Sequence, residues 1–165
     1  MSTFSVLPHY VLEEKESFTI LGFGVELKSD YTDFVGINQE KSDFLQKVQA
    51  DGTIDTLKSV ASNSYFFIVN EAVNNKMMYY VGVMSKEELP EATRLIQFPK
   101  GEYLVVKGEG ATSEELSNNL TGMTFGQVLP EVTNVAYVGG PNTSVEMGTR
   151  DGVLVGEMWI PVVKQ

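Results

Sequence analysis

Cysteine is absent from this sequence, histidine occurs once, and no basic cluster or long apolar run interrupts it. Each absence excludes something. Without cysteine there are no disulfides, no thiolate nucleophiles and no cysteine metal sites. With His9 the only imidazole, a Ser–His–Asp triad or a transition-metal centre would depend on one residue in the N-terminal lead. Neither is expected, and no metal or cofactor is implied. The apolar stretches fall short of the roughly 18 residues that cross a bilayer. The N-terminus, MSTFSVLPHYVLEEKE, has neither the basic start nor the apolar core of a signal peptide. A cytoplasmic protein with no membrane partner is the expectation. Lysine and arginine number 12 against 22 aspartates and glutamates, a net charge of −10. Such a surface repels phosphate backbones, so direct nucleic-acid binding is disfavoured. It attracts cations, although solubility alone also explains it.

What is present describes a globular chain. Hydrophobic residues make up 42% and charged residues 21% of 165 positions, enough for a single domain with a real core. Alternating, β-branched and aromatic runs predict strands at Phe18–Leu27, Tyr65–Asn70, Met77–Met84, Tyr103–Gly108, Ser144–Thr149 and Leu154–Val163. Two segments carry helical periodicity. In Asn38–Ala50, Phe44, Leu45 and Val48 form one stripe. In Ser113 to about Met123, Leu116, Leu120 and Met123 do the same, after a Thr112-x-x-Glu115 capping box. The order strand, helix, strand, strand occurs twice, which divides the chain into halves of about 1–90 and 91–165. ILGFGVE (20–26) and VVKGEGA (105–111) are a candidate internal match. The expected fold is therefore α+β: a duplicated strand–helix–strand–strand unit, an antiparallel sheet with two main helices on one face, and a central ligand cleft between the halves.

The closing strand carries the most chemical information. Side chains alternate across a strand, so Val155, Glu157 and Trp159 share one face, and Leu154, Met158, Ile160 and Val162 the other. A carboxylate between an aliphatic residue and the single tryptophan suits pairing with a cation or a proton-transfer role. The same pattern also fits an edge-strand glutamate with its head in water. Tyr65 and Phe67 share a face, while Tyr79 and Tyr80 point to opposite sides. Tyrosine, tryptophan and methionine together suit variable planar ligands, and aromatic faces attract cations; ordinary core packing uses the same residues.

Other patterns read as structure. GEGAT (108–112) lacks the Gly-Lys-Ser/Thr ending of a phosphate loop and is explained by a turn before a helix cap. The aspartates at 30, 33, 51 and 55 do not reproduce a calcium loop. Glu13, Glu14 and Glu16 read as a solvated strand end.

FPKGEYLVVKGEG (98–110), followed by a helix and a closing strand ending GEMWIPV (156–162), resembles the GyrI-like (gyrase-inhibitor-like) small-molecule-binding domain family. The matching positions are Pro99, Gly101 and Tyr103, then Glu157, Trp159, Ile160, Pro161 and Val162. The resemblance implies a cleft between the halves, lined by aromatics, with a glutamate that meets lipophilic cations. Carried onto this chain, Glu157 would meet the charge. Trp159, Tyr65 and Phe67, with some of Tyr79, Tyr80, Phe125 and Tyr137, would stack on the ligand. The implied function is stand-alone binding or sequestration of hydrophobic, aromatic, cationic compounds. Two alternatives come with the family. One is a hydrolase opening strained cyclopropanes for detoxification, with Glu157 as general acid or base; the other is a protein-binding modulator such as a gyrase inhibitor. The chain departs from the family's transcription regulators in having no helix-turn-helix region, so direct transcription regulation is not expected.

Overall fold

A computed structural model of the chain describes residues 10–87, 89–90 and 92–165; His9 lies outside them. The chain runs β1 (Tyr10–Lys15), β2 (Phe18–Leu27), α1 (Phe34–Ala50), α2 (Thr53–Ser59), β3 (Phe66–Val73) and β4 (Lys76–Met84). It continues with β5 (Arg94–Phe98), β6 (Gly101–Gly110), α3 (Ser113–Met123), a π-helical turn (Thr124–Val128), β7 (Val135–Tyr137), β8 (Asn142–Arg150) and β9 (Val153–Lys164). The strands form one antiparallel sheet in the order β1-β6-β9-β8-β3-β4-β2-β5, and β7 pairs with the end of β9.

The duplication is visible in the connections. Asn74-Asn75 joins β3 to β4 and Asp151-Gly152 joins β8 to β9, all four residues at positive φ. These are the backbone angles of the type I′ turn, whose twist matches that of a hairpin. Each half also begins with a strand that leaves home. β1 pairs with β6 of the second half, and β5 with β2 of the first. Strands β3 and β8 meet at the centre.

Each helix covers its own half of one face. Under α1 and α2, Phe44, Leu45, Val48 and Leu57 pack on Leu21, Phe66, Ile68, Tyr79 and Val81. Under α3, Leu116 and Leu120 pack on Leu104, Val106, Met158 and Ile160. Helix α1 starts at Phe34, earlier than its apolar stripe predicts. The Asp33 side chain caps it by accepting from the Gly36 amide at 3.0 Å, while Phe34 and Val35 face outward, 72% and 82% exposed. A cap can begin a helix before its buried face does. Helix α3 begins as its capping box predicts, with Thr112 Oγ1 accepting from the Glu115 amide at 3.1 Å.

The opposite face is concave. A flat sheet would hold β9 and β2 about 19 Å apart, four spacings of roughly 4.8 Å. The rings of Phe18 (β2) and Trp159 (β9) are nevertheless only 5.6 Å apart between centroids. The sheet has curled into a half-barrel.

Glycine makes room for the curl at one clear point. A Cβ on Gly24 would lie 2.1 Å from Tyr80 Cδ1 and 2.8 Å from the Tyr79 carbonyl oxygen. Gly24→Ala is therefore expected to destabilise the chain by about 1–3 kcal/mol through overpacking. Gly126→Ala, where a Cβ would meet nothing within 4 Å, is expected to be neutral or stabilising by up to about 1 kcal/mol. Urea midpoints of the two variants check the opposite signs.

Candidate functional site

Cross-strand register lays the concave face out in rows. One runs Val11, Val105, Trp159, Thr143, Val69, Tyr80, Gly24. The next runs Lys107, Glu157, Val145, Phe67, Gly82, Gly22. Glu157 and Trp159 thus stand in adjacent rows on one strand, as alternation along β9 predicts. Phe67 meets Trp159 edge-on at 5.7 Å between centroids. From the far end of the curled sheet, Phe18 also reaches Trp159 edge-on, while stacking on Phe98 at 4.6 Å and 8° between planes. Tyr103 stands beside Phe18 at 6.0 Å and donates from its hydroxyl to the Pro99 carbonyl at 2.6 Å.

Trp159 has a carboxylate at its edge and a cation on its face. Its Nε1–H donates to Glu157 Oε1 at 2.8 Å. Lys15, at the end of β1, places Nζ 4.0 Å from the indole centre and 3.1 Å from Glu13 Oε2. An ammonium over an indole face, with a carboxylate on each side of the pair, is a cation–π arrangement. Beyond Glu157 lies a hollow of about 360 Å³ lined by Lys107, Met147, Arg150 and Val155 among others.

The remaining expected site residues divide by side of the sheet. Tyr65 packs with Phe67, Tyr80 and Trp159 in the concave cluster. Tyr80 donates to Glu71 Oε1 at 3.2 Å, and Arg94 holds both oxygens of that carboxylate at 2.8 and 2.9 Å. Tyr79 is on the helix side, edge-on to Phe44 at 5.9 Å. Tyr137 and Phe125 are also on that side, 5.8 Å apart; Tyr137 accepts from Asn142 Nδ2 at 3.1 Å and donates to the Gly140 carbonyl. The structure therefore brings together Glu157, Trp159, Tyr65, Phe67 and Tyr80, and sets Tyr79, Tyr137 and Phe125 apart from them. Lys15, Phe18, Glu71, Arg94 and Phe98 join the concave face without having been singled out in the sequence. The opposite charges of Glu13 and Lys15, two residues apart and so on one face of β1, are the one local signal that could have marked Lys15.

A larger cavity, about 440 Å³, opens between α1 and the β7–β8 connection, lined by Leu27, Ile37, Lys41, Met77, Tyr137 and Asn142 among others. No group of three or more His, Asp or Glu side chains among the described residues could hold a metal ion. No described helix is long and apolar enough to cross a membrane.

Burial raises the Tyr103 pKa, and burial followed by the Glu71 carboxylate raises that of Tyr80, each from 10.0 to about 12. Tyr79 is also pushed up, by burial first and Glu114 second. A phenol that keeps its proton longer when folded contributes stability that is complete below the unfolded pKa and lost as pH rises through the folded one. Stability is therefore expected to hold up to about pH 10 and to fall between 10 and 12. Urea midpoints measured across that range check this, and Tyr80→Phe should flatten part of the slope.

A family model described as integron-associated effector binding protein matches residues 11–162. Among solved structures, SAV2435 bound to tetraphenylphosphonium is similar at a TM-score of 0.77 and 16% identity, over 94% of each chain. A putative bacterial transcription regulation protein from Staphylococcus aureus MU50 follows at 0.71 and 17%, over 94% of this chain and 98% of that one. The integron cassette protein VCH_CASS2, from the mobile metagenome of Vibrio cholerae, gives 0.63 and 10%, over 93% and 95%. At these identities the likeness shows a shared fold. No curated protein matches the sequence. Since the family model spans nearly the whole chain, this chain belongs to the integron-associated effector binding proteins, the Cass2 family.

Proposed function

We propose that the chain binds hydrophobic aromatic cations on its concave face, with Trp159 taking the charge on its ring and Glu157 supplying the nearby carboxylate. The observation that carries this reading is Lys15. The site already has a cation seated on it, 4.0 Å from the indole centre. That ammonium belongs to a side chain at the end of an edge strand, and a ligand that displaces it can take over its place on the ring. A lipophilic cation taking its place would keep the cation–π contact and add apolar area against Phe18 and Tyr65, the partly buried rings of the cluster. A desolvated contact of this kind is worth about 2 kcal/mol, and with apolar burial less ordering costs it gives roughly micromolar affinity. A relative on this fold has been solved with tetraphenylphosphonium, a ligand of that class.

Tetraphenylphosphonium and the uncharged triphenylphosphine oxide make a test pair, read through fluorescence of the single tryptophan. Glu157→Gln is expected to weaken the cation by about fivefold to tenfold, from loss of roughly 1 kcal/mol of charge pairing, and to spare the neutral compound. Lys15→Met is expected to tighten the cation several-fold by removing the internal competitor. Equal losses for both compounds in Glu157→Gln would remove Glu157 from the role.

A further inference from the structure

The cavity beside α1 has the opposite electrical character from the Trp159 site. Lys41 lines it, with Nζ 5.1 Å from the Tyr79 ring centre. No carboxylate oxygen lies within 4 Å of that ammonium among the described residues. Burial alone shifts the Lys41 pKa, downward, with no compensating charge. An ammonium drawn out of water without a counter-ion is costly, and an anion arriving beside it recovers that cost. The cavity's one acidic side chain, Glu71, is already engaged on both oxygens by Arg94 and Tyr80. That leaves Lys41 without an ion-pair partner among the described residues; the other acidic group in the neighbourhood, Glu114, acts on the adjoining Tyr79 and is held by Ser42 at 3.2 Å.

The rest of the lining is two-sided. Asn70 and Asn142 present amides at one end, joined by a 3.5 Å contact, and Asn142 Nδ2 also donates to the Tyr137 hydroxyl at 3.1 Å. Leu27, Ile37 and Met77 form an apolar wall, and the exposed rings of Tyr31 and Phe34, 73% and 72% accessible, stand near the start of α1. A volume of about 440 Å³ is in the range that encloses a small organic molecule.

We propose that this cavity is a second binding site, for an amphipathic carboxylate whose head group pairs with Lys41 while its apolar body lies against Ile37 and Met77. It stands independently of the Trp159 reading, since its lining includes neither Trp159 nor Glu157 and the two sites select opposite charges. A free ammonium in this cavity also repels the lipophilic cations assigned to the other face.

Calorimetric titration with 1-naphthoate and with the uncharged 1-naphthalenemethanol tests it. The carboxylate is expected to bind about tenfold to a hundredfold tighter than the alcohol, the range of a charge-assisted hydrogen bond. Lys41→Met and Lys41→Gln should bring the two ligands level, and Lys41→Arg should keep the preference. The proposal is overturned if naphthoate gives no heat, if wild type binds both ligands equally, or if Lys41→Met retains the preference.

Discussion

The contact of Phe18 with Trp159 sets the curvature on which everything else depends. These two rings come from strands four places apart in one sheet, and they meet only because the sheet bends toward the face the helices leave free. Phe98 and Tyr103 complete the junction, so β2, β5, β6 and β9 all contribute a ring to it. Aromatic pairs at these separations and tilts add about 0.5–1.5 kcal/mol each beyond their buried area. The exchange of edge strands between halves places these rings at the two ends of the sheet. β5 brings Phe98 beside Phe18 on β2, and β1 brings Lys15 to the neighbourhood of β6 and β9.

The curl also separates two environments. On the concave side an indole lies between a carboxylate and an ammonium, within a packed aromatic cluster. On the helix side, a cavity beside α1 holds an ammonium with no carboxylate within ion-pair distance among the described residues. The net charge of −10 favours the approach of cations to the whole molecule, but with a Debye length of about 8 Å at physiological salt the local groups decide what stays. Composition alone does not point to the Lys41 cavity, because Lys41 is one of the few cations in an acidic chain.

The fold was largely legible because local and global signals agreed. Strand β2 coincides with its sequence pattern from Phe18 to Leu27, and α3 starts where its capping box lies. The strands that local reading did not assign, β1, β5 and β7, are short, and β1 and β5 lie at the edges of the sheet. Of the five residues in β5 only Ile96 and Phe98 are buried, too few to establish a period of two. The repeated Gly-x-Gly pairs look equivalent in sequence yet serve opposite faces. Gly22 and Gly24 make space toward Ile96 and Tyr80 in the concavity, whereas Gly108 and Gly110 make space under Leu120 and Leu116 of α3. Within the site, alternation along β9 placed Glu157 and Trp159 on one face. It could not show Lys15, Phe18 or Phe98 arriving there, since that is a consequence of sheet curvature and strand exchange.

The most direct measurement is a crystal structure of the chain with tetraphenylphosphonium. The account predicts the phosphonium on the concave face, a phenyl ring against Phe18, its charge within about 6 Å of the Trp159 ring, and Lys15 swung out of the place it now holds. Phosphonium bound between α1 and β8, with Lys15 still over Trp159, would contradict it.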